Sequence, residues 1–351
     1  YGIKEGEVDL PAFPLFALFS VAMGVTVVVP DMDPAHPARV DPEKFVAEIQ
    51  AHRVTQSFGS PAIWDRVGRY CVERNLSLTS LTRVLMAGAP VSPAILERVQ
   101  HILPDHADAH TPYGATEALP VSSITAREVL NETASLARAG KGTCVGKALP
   151  GIALRIIRIS DEAVPAWDDR LVLPRGEIGE IVVQGPVVTR SYFKREQATA
   201  LAKIPDGHSW WHRMGDVGYL DERDRLWFCG RKADRVRTTT GTLFTVPCEA
   251  IFNQHPDVVR SALVGIGPTG RQRPVIVIEP HPDKFPATAG TTARFTDDLL
   301  RLGAANPLTA GITAVLFHQS FPVDVRHNVK ISRDKLALWA AKQLGEGQHL
   351  Q

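Results

Sequence analysis

The sequence predicts an α/β protein with a large first domain and a smaller second one. Its 351 residues exceed what one hydrophobic core usually organises. In the first half, short apolar segments alternate with amphipathic segments of helical period, a pattern typical of mainly parallel sheets covered by helices. After Gly142 apolar and polar residues alternate between turns, which indicates antiparallel strands.

In the first half, residues 25–29 form a candidate buried strand, and residues 83–86 form another that runs into the turn at 87–90. Ser92 is placed to cap a following helix, with Pro93 at its first position. A strand, a glycine turn and a helix in this order place a ligand at the carboxyl end of the strand.

We divide the chain into three parts. Residues 1–141 form the α/β part of the large domain, residues 142–232 a β-rich subdomain, and residues 233–351 a small, mobile α+β C-terminal domain. The polar stretch 231–241, which holds three consecutive threonines, is the predicted linker. Strands at 258–266 and 274–278 and a helix at about 333–344 are expected after it.

Composition favours a small-molecule ligand. The 39 Lys and Arg residues nearly cancel the 38 Asp and Glu residues, which argues against a nucleic-acid partner. The four cysteines stand far apart, without the spacing of a zinc site or a disulfide framework, and fit a reducing cytoplasm. No apolar run reaches the length of a membrane-spanning helix.

The segment 113–117 combines groups that suit a nucleotide. Tyr113 offers a ring for stacking on a purine, and Gly114 lets the backbone approach a ligand. Thr116 can donate to a phosphate, and Glu117 can hold Mg²⁺. The alternative is a surface turn with a capping threonine.

Three further residues are candidates for nucleotide chemistry. Asp216, beside a glycine, can accept both hydroxyls of a ribose, and Arg231 can contact ribose or phosphate. Lys330, ahead of the last helix, can neutralise charge that develops on a carboxylate and a phosphate. Taken singly, each has a simpler interpretation: a turn-forming aspartate, a solvated basic turn and a solvated lysine at a helix start.

The order of these motifs, with residues 87–90 before them and the segment 176–185 among them, resembles the AMP-forming superfamily of acyl-CoA synthetases, nonribosomal adenylation domains and luciferases. The resemblance implies ATP and Mg²⁺ as cofactors. It further implies residue roles: adenine at Gly88, Ala89, Pro90 and Tyr113, α-phosphate at Thr116, magnesium at Glu117, ribose at Asp216 and Arg231, and the adenylation lysine at Lys330.

The departures from that superfamily are specific. Its phosphate-binding loop is absent and would lie before Tyr1, so we expect the chain to be truncated at its N-terminus. Ala17 stands where acyl-CoA synthetases usually carry a histidine. Ala233 occupies the hinge position, next to Asp234, and Val329 replaces the glycine before the catalytic lysine.

Residues 30–34, 37–42 and 326–330 resemble one branch, the β-lactone synthetases of bacterial long-chain olefin biosynthesis. The resemblance implies that ATP activates a long-chain 2-alkyl-3-hydroxy acid to an acyl-AMP, whose own hydroxyl then closes a β-lactone. AMP and pyrophosphate would be released, and other enzymes of the olefin pathway would be partners. His327 is a weak candidate for the general base.

Several alternatives stay open. A fatty acyl-CoA synthetase or fatty acyl-AMP ligase would share the first half-reaction, and a luciferase-type enzyme would share the motifs. A non-catalytic nucleotide-binding module is the alternative from another class. Apolar residues at 13–23 and 58–64 can either line an acyl pocket or belong to the core.

Overall fold

The computed structural model describes residues 1–323 and 331–345. The strands are β1 Val8–Asp9, β2 Thr26–Val27, β3 Gln56–Gly59, β4 Arg83–Met86, β5 Asp108–Ala115, β6 Ala118–Thr125, β7 Thr143–Ala148, β8 Ala153–Ile157, β9 Gly179–Gln184, β10 Lys203–Asp206, β11 Ser209–Leu220, β12 Arg225–Arg231, β13 Val236–Arg237, β14 Thr242–Leu243, β15 Val258–Ile266, β16 Arg273–Pro280 and β17 Ala314–Phe317. The α-helices are α1 Pro14–Ala22, α2 Pro42–Ala51, α3 Pro61–Glu73, α4 Pro93–Ile102, α5 Ala126–Glu128, α6 Ala134–Leu136, α7 Glu196–Ala202, α8 Thr245–Phe252, α9 Ala289–Ala304 and α10 Arg333–Gln343. Two π-helical turns, Val129–Thr133 and Ala137–Lys141, connect α5 and α6 to β7.

One large sheet runs through both predicted parts of the first domain, in the order β2-β1-β3-β4-β5-β6-β7-β12-β11-β9-β8, with β10 added to β11. The pairs from β2 to β5 are parallel. From β5 onward every pair is antiparallel. The predicted α/β class is therefore confirmed, and the change of strand direction comes earlier than residue 142, at the β5–β6 hairpin.

Two helices of the parallel half begin at a side-chain cap, and one of these caps is the predicted Ser92. The Asp41 carboxylate accepts hydrogen bonds from the backbone N–H groups of Glu43 and Lys44 at the start of α2. Ser92 does the same for Ile95 at the start of α4. Helices α2, α3 and α4 bury their apolar faces on β3, β4 and β5 in one core, whose large members are Phe45, Ile49, Ile63, Trp64, Leu81, Met86 and Leu96.

The antiparallel half curls round on itself. Val121 of β6 packs in the same core as Ile156 of β8 and Val183 of β9, although these strands stand far apart in the sheet order. Residues of β5 and β11 line the same core. This curvature brings the end of β5 against the middle of β11, which a flat sheet would keep apart.

The C-terminal part has its own sheet in the order β15-β16-β17. Alternate strand residues face opposite sides, as the two-residue period of a strand requires. Leu263 and Ile276 pack with α8 and α9, whereas Val264 and Val275 pack with α10. The two strands and the helix predicted for this part are confirmed: β15 has its predicted bounds, β16 extends beyond the predicted 274–278 at both ends, and α10 ends at Gln343.

The predicted linker is ordered and tied to the β-rich part. Lys232 donates to the buried carboxylate of Glu180, at 2.8 Å from Nζ to Oε1. Arg235 and Arg237 both bond to Asp161, at 2.7 and 3.0 Å. The domain boundaries at 141 and 232 stay a prediction.

Helix α1 is apolar and largely exposed on its outer side. Leu15 and Leu18 are 60% and 68% exposed, whereas Ser20 is buried and donates to Asp9. Within residues 1–323 and 331–345, no helix combines the length and the apolar character that crossing a bilayer demands.

Candidate nucleotide site

Three of the residues predicted to bind a nucleotide are in contact with one another. The Tyr113 hydroxyl donates to Asp216, at 2.6 Å from Oη to Oδ2. Arg231 lies opposite Asp216 in the β11–β12 register, and its Nη1 is 3.1 Å from Asp216 Oδ1. Strands β5, β11 and β12 therefore converge on one carboxylate, with Arg231 partly open to solvent.

The backbone around Asp216 is irregular in a way that glycine allows. Gly215 has a φ of +69°, a conformation that residues with a Cβ rarely adopt. The register of β11 shifts against β9 between Arg213 and Val217. Such a bulge turns a side chain out of the regular alternation. The bulge lets the Asp216 side chain face Tyr113, outside the regular alternation of side chains along β11.

Tyr113 and Asp216 form a buried pair, and this changes the pKa of the Tyr113 hydroxyl. Burial, followed by the negative charge of Asp216, raises the pKa of Tyr113 well above its ordinary value. The phenol is therefore a proton donor at any physiological pH. Its ring remains in contact with Phe228, with the ring centroids 6.0 Å apart. The predicted role of Tyr113 as a stacking surface stays a prediction, and the hydroxyl contact adds a second role.

The turn at residues 88–90 lies beside this cluster because of strand register. Strand β4 pairs in parallel with β5, with Leu85 opposite His110. The turn follows β4 directly, at the same sheet edge that Tyr113 reaches three residues beyond His110. Gly88 takes a φ of +93° there, with open space around its Cα. Adjacent carboxyl ends of parallel strands are where α/β sheets bind ligands.

Thr116 and Glu117 form the tip of the β5–β6 hairpin. The hairpin closes tightly at Gly114, where an added Cβ would lie 2.6 Å from the carbonyl oxygen of Ala118. Only glycine fits that approach. Thr116 is exposed at the tip, and Glu117 is partly exposed. Both side chains are thus accessible at the tip of the hairpin, close in sequence to Tyr113.

Glu117 has a partner that the sequence did not reveal. The Tyr192 hydroxyl donates to Glu117, at 2.7 Å from Oη to Oε1. Burial alone would raise the pKa of Glu117, but the Tyr192 hydrogen bond, a backbone hydrogen bond and the nearby charge of Lys203 leave it below its ordinary value. Glu117 is therefore a carboxylate at neutral pH.

Two basic residues, Lys203 and His212, lie near Glu117. Burial lowers the pKa of Lys203 to about 8, and Lys203 donates from Nζ to the backbone oxygen of Thr189. Burial and then Lys203 lower the pKa of His212 to about 4, so this imidazole is neutral. Lys203 lies in no predicted motif and His212 lies four residues before Asp216, and only the fold brings them to Glu117.

The residues fit a magnesium ion that accompanies a nucleotide. No group of three or more His, Cys, Asp or Glu side chains could hold a metal in the part of the chain that the structure describes. Magnesium, however, is commonly bound through one or two carboxylates, with water and phosphate oxygens as its remaining ligands. A single ionised carboxylate on an accessible turn suits that arrangement.

The apolar segments at 13–23 and 58–64, which can either line an acyl pocket or belong to the core, divide into two groups. Phe16 stacks on Phe58 with ring centroids 3.9 Å apart, and Phe13 meets Phe58 edge-on at 6.0 Å. These rings are half-buried at the end of β3, next to the strand that leads into the turn at 88–90. Ile63 and Trp64 are fully buried in the core.

The predicted adenylation lysine, Lys330, lies outside the described residues, as do His327 and Val329. The beginning of the next helix is described. Arg333 bonds to the buried Glu249 of α8, at 2.6 Å from Nη1 to Oε1, and reaches Asp234 at 3.4 Å. The start of α10 is thus tied both to α8 and to the segment that follows Arg231.

The chain is similar to known proteins over much of its length. A family model described as AMP-binding enzyme matches residues 12–193. The olefin beta-lactone synthetase of Xanthomonas campestris pv. campestris is 48% identical over 348 residues, which cover 98% of this chain and 61% of that relative. The chain therefore spans less than two thirds of this relative's length.

Two solved structures share the fold. The amide bond synthetase of Marinactinospora thermotolerans superposes with a TM-score of 0.74 at 24% identity, over 97% of this chain and 63% of its own. The O-succinylbenzoate coenzyme A synthetase of Bacillus subtilis, solved in complex with ATP and magnesium ion, gives 0.71 at 23% identity, over 95% and 61%. With a family match over more than half of its residues, the chain belongs to the family of AMP-binding enzymes.

Proposed function

We propose that the protein containing this chain activates a long-chain 2-alkyl-3-hydroxy acid with ATP and closes the resulting acyl-AMP to a β-lactone. The contact of Tyr113, Asp216 and Arg231 carries the nucleotide part of this proposal. The olefin beta-lactone synthetase of Xanthomonas campestris pv. campestris, at 48% identity, supports the choice of a β-lactone as product. Other enzymes of the same pathway are then its natural partners.

Each residue has a defined task in nucleotide binding. The turn at Gly88, Ala89 and Pro90 and the ring of Tyr113 hold the adenine. Asp216 and Arg231 hold the ribose, since a carboxylate can accept from both hydroxyls. Gly114 lets the hairpin approach the ligand, and Thr116 donates to the α-phosphate.

The first step joins the acid to AMP. The substrate carboxylate attacks the α-phosphorus of ATP, a carboxyl-oxygen-to-phosphorus bond forms, and pyrophosphate leaves. Lys330 neutralises the charge that develops. Glu117 would hold magnesium, which when bound supplies positive charge beside the phosphates.

The second step closes the ring. The 3-hydroxyl oxygen attacks the carbonyl carbon of the mixed anhydride, its proton passes to a base, and AMP leaves with the bonding electron pair. Because the 3-hydroxyl belongs to the same molecule as the anhydride, no second substrate has to be bound and oriented. The half-buried rings of Phe13, Phe16 and Phe58 would hold part of the alkyl chain.

Product analysis tests the function. The complete gene product is incubated with a racemic 2-alkyl-3-hydroxy acid and MgATP, with and without CoA, and the products are identified by mass spectrometry. A β-lactone formed without CoA is expected. A thioester formed only with CoA would establish the acyl-CoA ligase instead, and nucleotide binding without pyrophosphate release would establish the non-catalytic module.

Two variants test the assigned residues. Lys330→Ala should abolish pyrophosphate release. Asp216→Ala should raise the KM for ATP about tenfold or more, because hydrogen bonds from a charged group to the ribose are lost. Asp168→Ala, an exposed aspartate that bonds to Arg170, is the matched control and should leave KM unchanged. An unchanged KM in Asp216→Ala contradicts the ribose assignment.

A further inference from the structure

The loop between β9 and α7 contacts Glu117 through both its side chain and its backbone. The side-chain contact is the Tyr192 hydroxyl bond to Glu117 Oε1, at 2.7 Å. The backbone contact runs from the Thr189 N–H to the Glu117 carbonyl oxygen, at 2.9 Å. A loop about 75 residues away in the chain therefore holds the hairpin tip at two points.

The loop is itself anchored. The carbonyl oxygen of Thr189 accepts hydrogen bonds from Lys203 Nζ and from Trp210 Nε1, the latter at 3.0 Å. The Tyr192 N–H donates to Thr199 Oγ1 of α7, also at 3.0 Å. These bonds fix the backbone at Thr189 and at Tyr192 itself.

A glutamate on a hairpin tip would otherwise sample several rotamers, and restricting them costs free energy. A phenol is a suitable restraint because it has only two side-chain torsions. Burial and the Glu117 hydrogen bond raise the pKa of Tyr192 to about 12, so the hydroxyl keeps its proton. The hydrogen bond uses Oε1 of the carboxylate.

We propose that Tyr192 is a positioning residue that holds the Glu117 carboxylate in one orientation for the metal ion that accompanies ATP. This inference rests on the proposed function, because it takes Glu117 to be the magnesium ligand. Tyr192 need not touch the nucleotide or the acid. Its effect should therefore be seen in metal affinity and not in the affinity for either substrate.

The test measures metal binding directly. Mn²⁺ replaces Mg²⁺, and electron paramagnetic resonance of free Mn²⁺ reports its binding to the complex of the complete gene product with ATP. Tyr192→Phe keeps the ring and removes the hydroxyl. Metal affinity should fall about tenfold or more, the effect of one lost hydrogen bond to a charged group. The KM values for ATP and for the acid, taken at saturating metal, should stay unchanged.

Tyr219→Phe is the matched control, since its hydroxyl likewise makes one hydrogen bond, to the backbone oxygen of Lys141. It should leave metal affinity unchanged. In a Glu117→Gln background, Tyr192→Phe should have no further effect, because its partner carboxylate is already gone. Unchanged metal affinity in Tyr192→Phe, or an equal loss in that background, overturns the inference.

The same titration separates the two proposals. If Glu117→Gln weakens metal binding and Tyr192→Phe does not, the proposed function stands and the positioning role falls. If Glu117→Gln leaves metal binding unchanged, Glu117 is not the ligand and the positioning role falls with that assignment, whereas the product analysis still decides the proposed function. Circular dichroism and thermal unfolding of each variant show whether any loss comes from misfolding.

Discussion

Asp9 is a buried acid in the first strand of the large sheet. It is 3% exposed, and its carboxylate accepts a hydrogen bond from Ser20 Oγ at 2.6 Å. Burial raises the pKa of Asp9 to about 6, and the hydrogen bonds from Ser20 and the Leu10 backbone offset only part of that rise. The folded protein thus binds a proton here more tightly than the unfolded chain does.

This difference makes stability depend on pH in a defined direction. The stabilisation from protonated Asp9 is complete below the unfolded pKa of 3.8 and is lost as the pH rises through about 6. We expect Asp9→Asn, which is neutral at every pH, to be more stable than the parent at pH 8 by at most about 3 kcal/mol. The advantage should vanish near pH 4.

Urea unfolding between pH 4 and pH 8 measures this effect. Asp31→Asn is the control, because Asp31 is exposed and pairs with Lys44. It should not reproduce the pH-dependent gain. An Asp9→Asn difference that stays constant over this range would contradict the account.

At the same scale, the sequence was informative about residues with special chemistry. Tyr113, Asp216 and Arg231 were predicted from their motifs, and the structure brings all three together. Tyr192 and Lys203 were missed, because an isolated tyrosine or lysine carries no local signal. They come close to Glu117 only through the path of the loop between β9 and α7, which cannot be predicted from local sequence patterns.

Among the elements, α8 and α10 are joined by a buried ion pair. Arg333 forms two hydrogen bonds with Glu249, at 2.6 and 3.1 Å, and Glu249 also accepts from the Leu263 N–H at 2.8 Å. Burial raises the pKa of Glu249, and the charge of Arg333 opposes that rise. The pair fixes the first turn of α10 to the sheet.

Arg333→Met should destabilise the C-terminal part by about 3 kcal/mol or more, because it leaves a buried carboxylate without its cation. Adding Glu249→Gln should recover part of the loss. Arg301→Met, which removes an exposed partner of Asp298, should change stability far less. Hydrogen exchange of α10 amides checks this, and equal protection in Arg333→Met and Arg301→Met would refute it.

Element prediction succeeded where local signals were complete. Strand β4 and helix α4 have the predicted bounds at their starts because an apolar run, a glycine turn and a Ser-Pro cap all agree. Strand β2 is shorter than predicted, at Thr26–Val27, because only part of that apolar run pairs, with β1 at the sheet edge. Pairing, rather than composition, sets the length of a strand.

For the whole molecule, the segment after Arg231 decides how the C-terminal part is held. The Asp161 carboxylate accepts hydrogen bonds from both Arg235 and Arg237. Arg235 Nη2 lies 2.7 Å from each of its two oxygens. Arg235 is nearly buried and Asp161 is half-exposed. This carboxylate links the β-rich part to the chain just beyond the predicted hinge.

Asp161→Ala should loosen that segment and expose it to protease. We expect faster tryptic cleavage within residues 231–241, by about threefold or more if one charged hydrogen-bonded link is lost. Asp168→Ala, whose partner Arg170 is local and exposed, serves as the control. Limited proteolysis followed by mass spectrometry identifies the cut, and equal cleavage rates in the two variants would contradict the link.

The α/β class could be predicted from the sequence, but the presence of a single continuous sheet could not. Alternating patterns predict parallel strands and then antiparallel ones, as observed. They do not show that both belong to one sheet, since strand order depends on pairing between distant segments. The curl that brings β5 to β11 is likewise a property of the packed core and not of any local pattern.

The contact between Tyr113 and Asp216 has a consequence for how the protein reaches its working state. The two residues are 103 positions apart, and the strands between them in the sheet must pair and curl before they meet. Contacts between residues this far apart in the chain form slowly, because closing the intervening chain loses entropy before the contact contributes any stabilisation. The proposed ribose site therefore needs both halves of the sheet to be in place, because Tyr113 comes from β5 and Asp216 from β11.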